Sequence, residues 1–220
     1  MRVSKKPEER KNEILDAAER LFAIKGYSRA TINDILHEVG IAKGTFYYHF
    51  QSKEEVMDAI VMRYIESGVE AAKAIAADTT LTAHEKMFRI VASGGPETGG
   101  KERMIEQLHQ VDNAQMHQKS LVETIVRLVP VLTEIIEQGI KEGVFHTQYP
   151  RETVEFLLVS SQFLFDEGIF QWEPEELAKK ATAFAAVMES TLGAERGSFA
   201  YMMGVVTKET NGPAAVGEGS

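Results

Sequence analysis

One short stretch of the sequence concentrates side chains that could bind a polyanion. Phe46 and Phe50, four residues apart, mark the buried side of a helix. The neighbouring positions carry small, polar, aromatic and cationic residues and no carboxylate: Lys43, Gly44, Thr45, Tyr47, Tyr48 and His49. Side chains of these types hydrogen-bond base edges and phosphates in the major groove. The stretch therefore predicts a helix whose outer face contacts DNA.

The residues before this helix predict a second helix and a tight turn. Thr31 with Asp34 forms a capping box, in which each residue satisfies a backbone amide of the first turn. Apolar residues then recur at helical spacing: Ile32, Ile35, Leu36 and Val39. Gly40 can adopt the left-handed conformation that ends such a helix, and the next helix begins near Ala42. Two helices around a glycine-containing turn are typical of the helix-turn-helix, a DNA-binding motif.

The segment Gly40–Phe50, followed by Ser52–Val56, closely resembles the signature of the TetR (tetracycline-repressor-like) family of transcriptional regulators. The resemblance covers roughly the first quarter of the chain. It implies that Thr31 anchors a phosphate, that Lys43 and Thr45 reach base edges, and that Gly44 allows a close backbone approach. The full set of DNA-binding residues that it implies is Thr31, Ala42, Lys43, Gly44, Thr45, Tyr47, Tyr48, His49 and Lys53.

Charge is distributed unevenly along the 220 residues. The net charge of −9 argues against binding to nucleic acid. However, residues 1–53 hold 10 Lys+Arg and 7 Asp+Glu (+3), whereas residues 54–220 hold 14 and 26 (−12). The positive excess therefore coincides with the predicted DNA contact. The chain has no cysteine and no apolar run long enough to span a membrane, so we expect a soluble, cytoplasmic protein.

The rest of the chain is predicted to be helical. Ser52 and Glu55 open a long helix that runs to about Ala77. Further helical patterns cover Glu8–Lys25, which completes the DNA-binding domain, and Thr82–Ser93, Lys101–Val111, Gln118–Glu142, Arg151–Gly168 and Pro174–Leu192. The sequence thus predicts an all-α protein with a three-helix DNA-binding domain (1–53), a larger helical domain for effector binding and dimerisation (54–195), and a largely flexible C-terminal segment (196–220).

The two last long helices carry more apolar surface than one small domain can cover, so we expect paired copies to form a four-helix bundle. The predicted dimer contacts are Val154, Leu158, Phe165, Ala181, Phe184 and Met188. The resemblance also implies an effector cavity among the middle helices. Its predicted lining residues are Met87, Met104, Leu108, Met116, Phe163 and Trp172.

The predicted function is a dimeric, ligand-responsive repressor that binds an inverted-repeat operator and is released by a small apolar effector. One alternative is a DNA-bound architectural or cell-division control protein without an effector, and a less favoured one is a helical enzyme. No nucleophile, base and orienting group occur together in a recognisable motif. His109, Asn113 and His117 share a helical spacing but offer no carboxylate, so no metal site and no cofactor is predicted.

Overall fold

Helices account for all the regular secondary structure in the part of the chain that the structure describes. The computed structural model describes residues 6–93 and 113–201, and these contain eight helices and no strand. The helices are α1 (Pro7–Lys25), α2 (Ile32–Val39), α3 (Lys43–His49), α4 (Lys53–Ala77), α5 (Ala83–Ser93), α6 (Ala114–Lys141), α7 (Pro150–Leu164) and α8 (Pro174–Leu192). The predicted all-α fold class is confirmed. The helix predicted over Lys101–Val111 and most of the predicted C-terminal segment lie outside the described residues.

The ends of α2 follow from the residues that flank it. The Thr31 hydroxyl accepts a hydrogen bond from the Asp34 amide at 3.1 Å, and the Asp34 carboxylate accepts one from the Thr31 amide at 2.9 Å. Gly40 closes the helix with φ +69°, a left-handed conformation that costs glycine little. The predicted capping box and terminating glycine are both confirmed.

Helix α7 ends at Leu164, so the predicted extent to Gly168 is wrong. The amide of Phe165 makes the last helical hydrogen bond, to the Ser161 carbonyl. Asp166 then forms a turn, in which its carboxylate accepts from the amide of Gly168 at 2.8 Å. An aspartate that bonds the backbone two residues ahead competes with helix continuation, and hydrophobic periodicity does not register this local effect.

The described residues divide into two compact units. The head unit comprises described residues 6–67 and 113–120, and the body unit comprises residues 68–93 and 121–201. Helices α4 and α6 each continue from one unit into the other. The domain boundary predicted from the sequence lies after Lys53, close to the start of α4. The apolar periodicity of α4 is continuous, so it does not indicate at which residue the contacts change from one core to the other.

The head unit has its own apolar core. Its largest fully buried side chains include Phe22 of α1, Ile35 of α2, Phe46 of α3 and Ile60 of α4. Burial of one such side chain stabilises the fold by about 1.5–3 kcal/mol. Two buried side chains therefore anchor α3 in this core: Phe46, on its inner side, and Phe50, its C-cap residue.

The body unit buries most of the residues that were predicted to form the dimer interface. Val154, Leu158, Phe184 and Met188 belong to its apolar core, and Phe165 packs edge-on against Phe184 with ring centroids 5.6 Å apart. Ala181 is also buried. In the single chain the five buried residues leave little surface for a partner, whereas Phe165 is half-buried. Their role as dimer contacts stays a prediction.

The predicted effector-pocket residues do not form one group. Met87 is buried in the body core, whereas Met116 packs against the core of the head unit. Phe163 is exposed, and the Trp172 indole donates to the Leu164 carbonyl at 2.8 Å. Met104 and Leu108 lie outside the described residues. The predicted cavity lining stays a prediction, and its described members are divided between the two units.

None of the helices in residues 6–93 and 113–201 is long and apolar enough to cross a membrane. Within the same ranges, no group of three histidine or acidic side chains is placed to hold a metal ion. His109, from the histidine pair considered above, lies outside the described residues.

Candidate nucleic-acid interface

The outer face of α3 is open to solvent. Tyr48 is 74% exposed and Tyr47 is 38% exposed, and Lys43 and Gly44 are also exposed. Thr45 and His49 are half-buried at the edges of this face, and Ala42 is the exposed N-cap residue. The predicted recognition residues Ala42–Thr45 and Tyr47–His49 therefore lie on or beside a single accessible face. We call this surface, residues 42–45 and 47–49, the recognition face.

The recognition face is cationic and aromatic. The Lys43 ammonium lies 5.8 Å from the centroid of the Tyr47 ring, at the outer limit of a cation–π contact. The Tyr47 ring packs edge-on against Phe46, with centroids 5.5 Å apart. No acidic residue occurs between Gly40 and Lys53. The Lys43 charge is thus not neutralised by a carboxylate of its own segment and can serve an external anion.

Gly44 presents bare backbone at the centre of this face. A Cβ atom built on Gly44 would meet nothing within 4 Å, so the fold itself does not require glycine there. Glycine within a helix costs about 1 kcal/mol relative to alanine. A position that carries this cost without an internal steric reason fits a surface where another molecule approaches the backbone.

Thr31 has a different set of contacts from the one implied by the resemblance. Its hydroxyl and its amide both donate to the Asp34 carboxylate, at 2.8 and 2.9 Å. The same carboxylate accepts from the Lys25 ammonium at 2.7 Å. Both Thr31 donors are therefore occupied within the protein. Their observed function is to hold the start of α2, and phosphate binding by Thr31 stays a prediction.

The charge of Asp34 makes the free energy of unfolding of the head unit depend on pH. The hydrogen bond from Lys25 is the main cause that holds the pKa of Asp34 well below its usual range, and the hydrogen bonds from Thr31 lower this pKa further. A lowered carboxyl pKa stabilises the folded state above the unfolded-state pKa of about 3.9, and this contribution is lost as the pH falls further. We expect Asp34→Asn, which keeps the acceptor but removes the charge, to be less stable than wild type near neutral pH. Denaturant titrations at several pH values should show the difference shrinking below about pH 4. A difference that is constant down to about pH 2 would contradict this account.

Lys53 is engaged inside the head unit. Its ammonium donates to the carbonyls of Tyr27 and Ala30, at 2.8 and 3.0 Å, and lies 4.2 Å from the centroid of the Tyr27 ring. Burial, together with the Glu54 carboxylate, raises the pKa of Tyr27 to about 12. These contacts fasten the loop between α1 and α2 to the start of α4. Lys53 was predicted to bind phosphate. In the structure its ammonium bonds these two carbonyls, and phosphate binding stays a prediction.

Replacing Lys53 with methionine is therefore expected to destabilise the head. Tyr27 and Ala30 are buried, so loss of the ammonium leaves two carbonyls without this donor. The expected loss is about 1–3 kcal/mol in the free energy of unfolding. Lys43→Met is the matched control, because exposed Lys43 makes a single cation–π contact among the described residues, and its loss should change stability by less than about 0.5 kcal/mol. Equal denaturation curves for Lys53→Met and wild type would show that the bonds from Lys53 to the loop carbonyls do not stabilise the head unit.

A second polar contact, which the sequence analysis missed, joins α4 to α1. The Arg63 guanidinium bonds the Asp16 carboxylate at 2.6 Å and also bonds Glu19. The Tyr64 hydroxyl donates to the same Glu19 carboxylate. Burial is the main cause that raises the pKa of Tyr64, and this hydrogen bond raises it further. The contacts span more than 40 residues of sequence, and periodicity within one helix cannot reveal such a pairing.

Two family models match the chain. The model described as "Bacterial regulatory proteins, tetR family" matches residues 14–60, which include α2, α3 and the recognition face. The model described as "Tetracyclin repressor-like, C-terminal domain" matches residues 98–187. The chain belongs to the TetR family. The resemblance in the helix-turn-helix segment is thereby confirmed, and the match extends over most of the larger domain.

Curated relatives of this TetR-family chain match only a short segment of it. An uncharacterized HTH-type transcriptional regulator, YerO of Bacillus subtilis, is 41% identical over 70 residues, which are 32% of this chain and 24% of the relative. The HTH-type transcriptional repressor KstR2 of Rhodococcus jostii is 40% identical over 57 residues, covering 26% of this chain and 28% of the relative. The matched segment thus spans about a quarter of the length of these relatives.

Solved structures share the fold over most of the chain. SmeT, the repressor of a Stenotrophomonas maltophilia multidrug efflux pump, superimposes with a TM-score of 0.59 at 21% identity. The match covers 86% of this chain and 92% of SmeT. At this identity the likeness shows a common fold and no more.

Proposed function

We propose that this TetR-family chain is a dimeric, ligand-responsive repressor that binds an inverted-repeat operator. The observation that carries the proposal is the recognition face. It is exposed, it holds an unneutralised lysine beside bare backbone at Gly44, and it belongs to a helix-turn-helix. These are the properties that a helix needs in order to enter the major groove and contact both phosphates and base edges.

Different residues of the recognition face are proposed to do different work. Lys43 and Thr45 reach base edges, since they lie in the first turn of α3, where a recognition helix points its side chains at bases. Gly44 lets the backbone approach the DNA. Tyr47, Tyr48 and His49 contact the DNA in one of two ways. Their hydroxyl or N–H groups donate to phosphates, or their rings pack against thymine methyl groups.

The dimer is proposed to form through a face of α7 and α8 that the fold leaves uncovered. On α7, Phe156, Val159 and Phe163 are 73%, 45% and 39% exposed, and their spacing places them on one side of the helix. On α8, Val187 is 50% exposed. We call these four residues the apolar face. Exposed apolar residues that share one side of a helix, as the three on α7 do, are typical of a protein–protein contact. Two copies joined through α7 and α8 would form a four-helix bundle.

Ligand response is proposed for the body unit, with release of DNA on effector binding. SmeT has been solved in complex with triclosan, at 19% identity to this chain and a TM-score of 0.57. A body that binds an effector more tightly in its DNA-free state must, by linkage, bind DNA more weakly once the effector is present. The proposed site of action is the cytoplasm, and no catalytic step is proposed.

Mapping the genomic DNA fragments that the purified chain retains tests this function against its main alternative. A repressor should retain one or a few sites, each an inverted repeat near a promoter. An architectural DNA-binding protein should instead retain dozens of scattered sites. If no specific fragment were retained, both the repressor and the architectural function would be contradicted.

A further inference from the structure

Exposed large apolar side chains of the body unit concentrate along α7. Within the described part of this unit, such residues lie on α7 or close to its two ends: Tyr149, Phe156, Val159, Phe163, Ile169 and Phe170. The four aromatic ones follow one another at intervals of seven residues. Seven residues are close to two turns of an α-helix, so Phe156 and Phe163 lie on the same side of α7. We call Tyr149, Phe156, Phe163 and Phe170 the aromatic stripe.

The loop that follows α7 holds Phe170 at the C-terminal end of the helix. The Phe170 ring stacks on the Trp172 ring with centroids 5.0 Å apart, and the Trp172 indole donates to the carbonyl of Leu164, the last residue of α7. The amides of Ile169 and Phe170 both donate to the Asp166 carbonyl, at 3.0 and 2.9 Å. Several bonds thus fix a loop whose apolar side chains stay exposed. Side chains that are fixed before binding lose less conformational entropy when a partner covers them.

The apolar face alone is smaller than a stable dimer needs. Taking about 200 Å² for a whole aromatic side chain and somewhat less for valine, its four residues expose on the order of 400 Å². A specific interface of standard size buries about 800 Å² on each partner. Tyr149, which is 66% exposed, together with Ile169 and Phe170 would raise the exposed apolar area to roughly 650–700 Å². The two ends of the aromatic stripe therefore supply most of the missing area.

The charges at the ends of α7 favour an antiparallel pair of these helices. The loop after α7 carries Asp166 and Glu167 beside the negative end of the helix dipole. A parallel pair would bring two such loops together. An antiparallel pair instead places each loop at the N-terminal, positive end of the other α7, where the charged side chains are of both signs: Arg151, Glu152 and Glu155. Repulsion between acidic groups is therefore smaller in the antiparallel pair.

We propose that two copies of this chain pair antiparallel through α7 and the loop that follows it. The aromatic stripe is symmetric about a point between Val159 and Ser160. A two-fold axis at that point places Phe156 against the partner's Phe163 and Tyr149 against the partner's Phe170. The pairing rests on the dimer of the proposed function. It goes beyond that dimer by fixing the direction and register of the two helices and by adding Tyr149 and the loop to the contact.

Single cysteines test the pairing, because the chain has none of its own. Exposed Ser160 lies beside the proposed axis, so Ser160→Cys should form a disulfide-linked dimer under mild oxidation. Tyr149→Cys and Phe170→Cys should each stay unlinked when treated alone with a thiol crosslinker shorter than α7, since like ends lie a helix length apart. A mixture of these two variants, allowed to exchange chains first, should be linked. Val122→Cys, at a 49% exposed position of α6, is the control and should not be linked.

Dimer affinity, measured by sedimentation over a series of concentrations, is the second readout. Tyr149→Ser and Phe170→Ser should each raise the dimer Kd at least about tenfold, because each removes an aromatic contact twice in a symmetric dimer. Val122→Ser should leave the Kd unchanged. Circular dichroism should show the same helix content in all three variants, since each substituted residue is exposed.

The possible failures can be told apart. A dimeric wild type whose Tyr149→Cys variant links to itself has parallel helices, which overturns the proposed pairing. The pairing is also overturned if wild type is dimeric but neither Ser160→Cys nor the mixture becomes linked. In both cases the dimer of the proposed function stands. Wild type that sediments as a single chain at micromolar concentration overturns both, and operator binding, measured separately, reports on DNA recognition.

Discussion

Phe156→Glu is expected to convert the proposed dimer into folded monomers. Phe156 is 73% exposed in the single chain, so the substitution removes little from the protein's own core. In a symmetric dimer both copies would place a carboxylate in the apolar face, and burial of an unpaired charge costs several kcal/mol per ion. Sedimentation should give the mass of one chain, 24.5 kDa, instead of twice that value. Operator affinity should fall by orders of magnitude, because one head can occupy only one half-site.

Two substitutions serve as controls for this result. Val126→Glu alters an apolar residue of α6 that is 63% exposed but lies outside the apolar face, and this variant should remain dimeric. Phe184→Glu places the charge in the body core and should unfold the body, which separates interface residues from core residues. Wild type sedimenting as a single chain at micromolar concentration would contradict the dimer. A dimeric Phe156→Glu would contradict the choice of face.

Gly44→Ala is expected to stabilise the free protein and to weaken operator binding strongly. The added methyl group meets nothing within 4 Å and gains up to about 1 kcal/mol of helix propensity, so the unfolding temperature should rise slightly. On DNA, the same methyl group would lie where the backbone of α3 approaches the groove. A loss of about 1–3 kcal/mol at each of two heads corresponds to a roughly 30- to 2 × 10⁴-fold weaker operator complex.

Gly68→Ala is the matched control for this prediction. Gly68 also lies within a helix, α4, and a Cβ atom there also meets nothing within 4 Å. It should give the same gain in stability and leave operator affinity unchanged. If Gly44→Ala bound the operator as tightly as Gly68→Ala, the close approach of the α3 backbone to DNA would be excluded.

Features with a local cause could be predicted from the sequence. The capping box of Thr31 and Asp34 and the left-handed Gly40 depend on residues a few positions apart, and they fixed α2 correctly. The buried side of α3 followed from Phe46 and Phe50 in the same way. Once these two residues were assigned to the core, the other residues of α3 could be predicted to face solvent.

Features that depend on tertiary packing could not be predicted. Periodicity shows that α7 is apolar on two sides, but it does not tell which side meets the chain's own core. Val154 and Leu158 were therefore taken for dimer contacts, although they are buried, while Phe156 is exposed. The bonds of Lys53 to the carbonyls of Tyr27 and Ala30 span more than 20 residues, and nothing in the local pattern distinguishes such a lysine from one that binds phosphate.

Selection of binding sites from a pool of random DNA duplexes, with wild type and Lys43→Ala compared, tests the central claim that α3 reads DNA in a symmetric dimer. The account predicts that wild type enriches an inverted repeat whose half-site centres are about 34–36 Å apart, or a multiple of one helical turn. Lys43→Ala should bind with about 1–3 kcal/mol less free energy per half-site and should accept other bases at one position of each half-site. Failure of wild type to enrich any sequence, or an unchanged base preference in Lys43→Ala, would contradict it.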